Sequence, residues 1–355
     1  IRDRVQMGLT TSMIGLALGQ IFFGPLSDKY GRRPLLLVSM LLFIVSTLFC
    51  LFAPDIYSFV TLRLIQGIAG AGGIVISRSV AIDKFSGKEL AKMLAVIGAI
   101  NGVAPVAAPV IGGLLTGSVG WQGIFMILLF IGILLGIGCI RFKESLPAEK
   151  RSKTGVWATF RSFGIIVHNR RYMLYVFQLA FAQGILFAYI ASSPFIIQQH
   201  YGFSPFAFSI CFAVNAVAIG VAAALSVKFR RTENGTLTGC VGMLVFAVLQ
   251  MAALYSGCGF WTYELLMFAL LFMMGLTFTA STTLAMDCER RYAGAASALL
   301  GALCFASGGI VSPLVGLGDI LISTGVTFVI CAVCSLLCAL WAVKRTGPKV
   351  ALCRI

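Results

Sequence analysis

The chain is poor in charge and poorest in acid. Of 355 residues only 12 are Asp or Glu, against 27 Lys or Arg, and histidine occurs twice. These deficits exclude whole classes of function. A surface with 11% charged residues, on a chain that is 59% hydrophobic, is too apolar for a soluble domain. His168 and His200 both fall in connecting segments and read as solvated. The eleven cysteines lie mostly inside apolar runs without paired CxxC spacing. Cys331, Cys334 and Cys338 share a helix face but lack His or carboxylate support, so no metal site is expected. No Walker motif occurs, and the GAGG at 70–73 sits inside an apolar run, where it serves packing and not phosphate. No nucleophile, metal constellation or pair of acids lies at depth, so the sequence does not read as a membrane-embedded enzyme and needs no cofactor. The twelve acids are Asp3, Asp28, Asp55, Asp83, Glu89, Glu144, Glu149, Glu233, Glu264, Asp287, Glu289 and Asp319. Every one falls in a connection or at a helix end.

What the chain does have is long hydrophobic runs. About eleven can cross a bilayer as helices, near 5–23, 35–53, 57–77, 93–115, 121–140, 172–197, 206–227, 237–256, 263–286, 293–315 and 320–343. Barrel strands would be shorter and would alternate. The fold class is therefore an all-α polytopic membrane protein. Alternate connections (29–33, 78–92, 141–171, 228–233, 287–291 and 344–355) hold 24 of the 27 Lys and Arg; the opposite side holds Arg2 and Arg4, and Arg63 lies within a span. By the positive-inside rule the loops at 29–33 and 141–171 face the cytoplasm, and 54–56 and 198–203 face outward. The same distribution explains the net charge of +15 as cations held against an anionic leaflet, not as a nucleic-acid surface. The longest connection, 141–171, contains Pro147 and Gly155. In it Val156, Phe160, Phe163 and Val167 recur at helical spacing beside Trp157, which predicts a short amphipathic helix on the membrane surface. The chain thus divides into a first bundle over 1–140, a linker over 141–171 and a six-helix bundle with a short tail over 172–355. Residue 1 is Ile, and no signal-peptide pattern follows it. With five spans before the linker and six after, the chain reads as lacking one helix of a six-plus-six plan, with both termini inside.

Residues 15–34, GLALGQIFFGPLSDKYGRRP, join the first two spans through a tight cationic turn. Gly24 allows close helix approach. Gly31 can take a positive φ for the reversal, and Pro34 suits the first turn of the next helix. Asp28 can pair with Arg32 nearby or with Arg78, or sit at the positive end of a helix dipole. Gly24, Asp28, Gly31, Arg32 and Arg33 make G-x-x-x-D-x-x-G-R-R, which resembles the loop between helices 2 and 3 of the major facilitator superfamily. The corresponding stretch of the second half, KFRRTENG at 228–235, lacks the Asp and the Gly-Arg placement.

Arg63 lies about two turns inside its span, with Gln66 on the same face. Unless it snorkels outward it is a cavity-facing charge. Its segment resembles the arginine motif on helix 4 of that superfamily. Residues 98–113, GAINGVAPVAAPVIGG, place Pro105, Pro109, Gly112 and Gly113 in one span. They resemble the antiporter motif G-P-x-x-G-G, with Ala108 in place of its first glycine, and otherwise mark a structural kink. Tyr189, Ser192 and Ser193 bring hydroxyls into a span near Pro194. With Gln20, Asn101, Gln178, Gln183 and Asn215 they are candidates to line a central cavity, or else helix–helix contacts. Residues 184–205 and AGAASALLGALCF at 293–305 resemble the Bcr/CflA branch of drug–proton antiporters.

The resemblance implies two six-helix bundles with about eleven of twelve spans present. It implies a monomer in a bacterial cytoplasmic membrane that exchanges small hydrophobic drugs for protons by alternating access. Proton coupling and gating would then fall to Arg63, Gln66, Asp28, Gly24, Gly31, Arg32, Arg33 and Arg78. The counter-ion of Arg63 would be an acid on the absent first helix, and a chain without it would insert without coupling. A transporter of a sugar or an amino acid is the alternative.

Overall fold

The computed structural model describes residues 2–151, 160–316 and 318–344, and all its regular elements there are helical. They are α1 (Arg2–Tyr30), α2 (Arg32–Leu51), α3 (Ile56–Lys84), α4 (87–119), α5 (121–141), α6 (Ser162–His168), α7 (Arg170–Ser193, continued by a wider turn Pro194–His200), α8 (Pro205–Ser226), α9 (Thr232–Tyr255), α10 (Phe260–Cys288), α11 (Ala293–Val315) and α12 (Ile320–Lys344). Each of the eleven expected spans falls on one long helix. Among the described residues nine segments are long and apolar enough to cross a membrane.

The helices run further than hydropathy suggests, and this corrects two boundaries. The first helix does not end at residue 23, and Lys29 and Tyr30 belong to it and not to the turn. Helix α1 carries through Pro25 to Tyr30, and Gly31 alone makes the reversal at φ +98°, its N–H donating to the Ser27 carbonyl at 3.2 Å. A side chain there would be strained and would also meet the Glu144 carboxylate. Helix α3 likewise continues to Lys84, so Arg78 and Asp83 stand on a helix and not in a loop. The polar end of a spanning helix keeps its backbone bonds after its side chains have left the apolar layer, and hydropathy registers only the side chains.

Helices α4 and α5 join without a loop. The backbone is helical through Pro105 and Pro109 and breaks only at Gly120, at φ 66° and ψ −177°. The side chains of Asn101, Pro105, Pro109, Gly112 and Gly113 lie outside the described residues. Beyond Ser193, Pro194 lacks the N–H a tight helix needs, and the chain widens into longer backbone bonds, Tyr201 N–H to the Ile196 carbonyl among them.

Two compact units emerge. The first comprises residues 1–85, 111–168 and 289–303; the second comprises 86–110, 169–288 and 304–355. In the first, α1 lies against α3 at backbone contact. A side chain at Gly15 or Gly19 would overlap the Leu64 or Ile68 carbonyl, and one at Gly67 the Ser12 carbonyl. Helix α6 belongs to this unit. Ser162 and Ile166 are its buried residues, while Val167, of the stripe expected to lie on the membrane, is exposed. Phe160 meets Phe22 edge-on at 6.1 Å between centroids. Val156, Trp157 and Gly155 lie outside the described residues.

The second unit is built on α7, α8, α9, α10 and α12 around Leu186, Phe212, Met243, Leu270, Met274 and Phe328. Small polar groups tie its helices. Gln178 donates to Ser335 Oγ at 3.0 Å, and the Thr236 and Ser281 hydroxyls meet at 3.1 Å.

Candidate functional site: a buried ionic clasp and its neighbours

The turn at Gly31 brings Arg32 to the start of α2 with its side chain 1% exposed. A guanidinium that deep needs acceptors for nearly every N–H. It has them. Nη1 donates to Asp28 Oδ1 and to Ser27 Oγ, both at 2.7 Å. Nε donates to Asp83 Oδ2 at 2.9 Å and Nη2 to Asp83 Oδ1 at 3.4 Å. Of the two arginines open to Asp28 in the sequence, Arg32 makes the ion pair.

Asp28 does more than answer Arg32. Its Oδ1 accepts the Gly294 N–H and its Oδ2 the Ala295 N–H, each at 3.0 Å. Those amides open α11, so the carboxylate also sits at the positive end of a helix dipole. Both sequence-level options for Asp28 are therefore used together. Two glycines make the approach possible. A side chain at Gly24 would strike Ala298 Cβ and the Gly294 carbonyl, and one at Gly294 would strike the Gly24 carbonyl and Asp28 itself.

Glu144, just past α5, closes the same site from another side. Gly31 offers no side chain to cap α2. Glu144 does so instead, with Oε1 accepting the Arg32 N–H at 3.0 Å and Oε2 the Arg33 N–H at 3.1 Å. Its Oε1 also takes the Ser145 and Leu146 N–H groups at 3.0 Å, and Arg151 approaches Oε2 at 3.4 Å. Partial burial pushes this carboxyl up, but the Leu146, Arg32 and Arg33 amides and the Arg151 charge outweigh it and hold the group below its ordinary value. Ser145 Oγ reaches Asp83 Oδ2 at 3.2 Å, and Arg33 Nη2 the Ile140 carbonyl at 2.9 Å. Sequence reasoning missed Asp83, Glu144 and the α11 amides. No spacing rule connects positions so distant in the chain.

Arg63 lies elsewhere on α3. Its Nη1 donates to Gln66 Oε1 at 2.5 Å, and Gln66 Nε2 donates to Thr47 Oγ1 on α2 at 2.6 Å. The guanidinium carbon stands 5.6 Å from the Phe125 ring centre, and Phe125 packs edge-on against Phe59 and Trp121. Among the described residues no carboxylate is within ion-pair distance of Arg63.

The other described polar candidates each have a setting of their own. Gln178 is spent on the α7–α9–α12 contact through Cys240 and Ser335. Ser192 Oγ bonds back to the Ala188 carbonyl at 2.9 Å. Gln183 and Ser193 are buried. Gln20 is fully buried against Gly301 of α11, where any side chain would collide with its amide. Tyr189 stacks on Phe212 at 4.7 Å, and its hydroxyl accepts a hydrogen bond from Asn215 Nδ2 at 2.9 Å. The same Nδ2 donates to Glu264 Oε1 at 2.9 Å. Glu264 is thus no free helix-end acid.

These features match known proteins along nearly the whole chain. The family model described as Major Facilitator Superfamily matches residues 2–313. An uncharacterized MFS-type transporter, YdgK of Bacillus subtilis (strain 168), is 38% identical over 322 residues, covering 89% of this chain and 80% of the relative. The bicyclomycin resistance protein homolog of Haemophilus influenzae is 29% identical over 327 residues, covering 88% and 80%. A chloramphenicol resistance protein of Pseudomonas aeruginosa is 26% identical over 269 residues, covering 72% and 62%. In fold, the chain resembles the proton:xylose symporter XylE with a TM-score of 0.78 at 15% identity, over 97% of this chain and 86% of that one. A multi-pass helical membrane chain with this loop motif and this match belongs to the major facilitator superfamily, whose members move small molecules and are not enzymes.

Proposed function

We propose that the chain is a secondary efflux transporter of the bacterial inner membrane that exports small hydrophobic toxic compounds in exchange for protons. The observation that carries the reading is the clasp at Asp28. It joins α1 to α11 through a carboxylate buried among opposing donors, at helix ends whose connections are cationic. Alternating access requires such a joint to open and reform once per cycle. A joint made of charge and backbone amides, with glycines at the crossing, separates along a defined seam. The cationic connections at 29–33 and 141–171 are then cytoplasmic, and their spatial meeting through Glu144 supports one shared side.

Drug export is supported by the names of relatives, which include a bicyclomycin resistance protein homolog, a chloramphenicol resistance protein and the multidrug resistance protein MdtL. Proton exchange is supported by Arg63. A cation held by an amide, without a carboxylate in reach among the described residues, is sensitive to any charge that enters beside it.

The test is transport in cells lacking their major pumps, with toxic hydrophobic compounds, sugars and amino acids as cargo. Export of one or more toxic compounds should collapse when the proton gradient is dissipated, and Arg63→Ala should lower it at least tenfold at equal expression. Uptake of a sugar or amino acid without any drug export would overturn the reading.

A further inference from the structure

At the other end of α2 from Gly31, the corner into α3 holds a groove of about 490 Å³. Phe49, Phe52, Tyr57 and Leu62 line it, with Ser58 and Thr61. Sites for small ligands run from about 300 to 1,000 Å³, so the groove is large enough to take one. Phe52 is 74% exposed and Tyr57 82%, so the walls continue outward as an aromatic surface. One charge stands beside them. Asp55 caps α3, its Oδ1 accepting the Ser58 N–H at 2.7 Å and its Oδ2 the Ser58 hydroxyl at 3.1 Å. The Ser58 amide does most to hold this carboxyl below its ordinary value, and the Ser58 hydroxyl and Tyr57 amide add to it. Asp55 is therefore an anion at neutral pH. Among the described residues no Lys or Arg lies within ion-pair distance of it.

The nearby hydroxyls are already engaged. Ser58 donates to Asp55, and Thr61 donates to the Tyr57 carbonyl at 2.9 Å. The corner thus offers a fixed negative charge and aromatic faces, but no cation for an anionic ligand. It joins two spanning helices, so it lies at the level where lipid headgroups begin. An acyl segment suits the groove, and an ammonium suits its rim. The ammonium meets the carboxylate as an opposite charge and the Phe and Tyr rings as a cation over π faces. A primary ammonium also carries N–H donors for the lone pairs that Asp55 keeps free. A choline headgroup has the charge without those donors. A glycerol headgroup leaves its phosphate uncompensated and repelled. We infer that this corner is a binding site for an ethanolamine phospholipid, with an acyl chain between Phe49, Phe52 and Leu62 and the ammonium on Asp55. The site needs only that α2 and α3 span the membrane, and it stands apart from the efflux reading.

The test compares the wild type with Asp55→Asn. Asparagine caps a helix as well as aspartate does, so this variant keeps the fold and loses the charge. Each purified chain, stripped of lipid in detergent, is titrated with phosphatidylethanolamine, phosphatidylcholine or phosphatidylglycerol of identical acyl chains. Bound lipid is counted by native mass spectrometry, and lipid held elsewhere on the chain is common to both proteins. Affinity for the ethanolamine lipid should be about three- to fivefold higher in the wild type, the scale of an exposed ion pair. The gain should be smaller for the choline lipid and absent for the glycerol lipid. Thr61→Trp, which fills the groove, should weaken binding of the ethanolamine lipid as well. Equal ethanolamine-lipid affinity in the wild type and Asp55→Asn overturns the inference. So does an equal gain for all three lipids, or a dimer that Thr61→Trp disrupts, which would give the groove to a second copy of the chain. Should Thr61→Trp fail to fold, the comparison with Asp55→Asn decides alone.

Discussion

The two halves of the chain turn corresponding corners in different ways. Between α1 and α2 the corner is one glycine followed by Arg32, and the charges around it form a closed network of Asp28, Asp83, Glu144 and the first amides of α11. Between α8 and α9 the corner is KFRRTENG, and α9 begins at Arg231 without a side-chain cap. There the charged contact is Arg171 with Glu233 at 3.9 Å, both about a quarter exposed. The first corner is a buried charge network, while the second is a connection with part-exposed charges on it. The difference follows the sequence, since the second corner lacks the Asp and the Gly-Arg placement of the first. The dense pattern of glycine, acid and arginine marks the corner where burial makes charge expensive to leave unpaired.

This contrast can be broken most severely at Asp28. Asp28→Asn keeps the size but removes the charge facing Arg32 and the α11 amides. Loss of one partner in a buried pair costs about 3–5 kcal/mol. Export should fall at least tenfold, with the protein still inserted at wild-type level. Export measured against the membrane-inserted amount checks both parts, and full activity would show that the joint is dispensable.

Glu144→Gln should do less, since the amide still accepts hydrogen bonds. Loss of the charge at the α2 cap should cost about 1 kcal/mol. Its pH behaviour gives the sharper reading. Because the folded state holds this carboxyl below its ordinary value of 4.5, its stabilisation is complete above that value and is lost as pH falls through the lowered folded value. Thermal melting followed from pH 6 down to 3.5 should show a drop at the acid end in the wild type that is smaller in Glu144→Gln.

The second corner gives the smallest effect. Glu233→Gln should change melting by less than about 0.5 kcal/mol and leave export unchanged, as expected for a long, solvated pair. A large effect there would mean that the second corner is also a joint.

The helices were legible in the sequence because the membrane imposes a length and a polarity on each. Asp28, Gly24 and Gly31 were legible because their spacing is local and dense. Asp83 and Glu144 were not, because each reads in isolation as an ordinary acid in a polar connection, and only the fold brings them to Arg32. Glu264 was read as a helix-end acid for the same reason: hydropathy places it near an edge, whereas its partner Asn215 belongs to another helix. For Gln178 the sequence leaves cavity lining and helix contact open, since a buried amide looks alike whether it faces cargo or Ser335. In α6 the period groups Phe163 with Val167, and Ile166 is buried beside that stripe.

The bond from Asp28 to the Gly294 amide spans 266 positions of chain. During synthesis at about 5–20 residues per second, the acid is made on the order of tens of seconds before its distant donors exist. Arg32 follows it by four residues and can hold its charge throughout that interval. The ion pair is thus the part of the site whose residues are made first, and the α11 amides are the part made last.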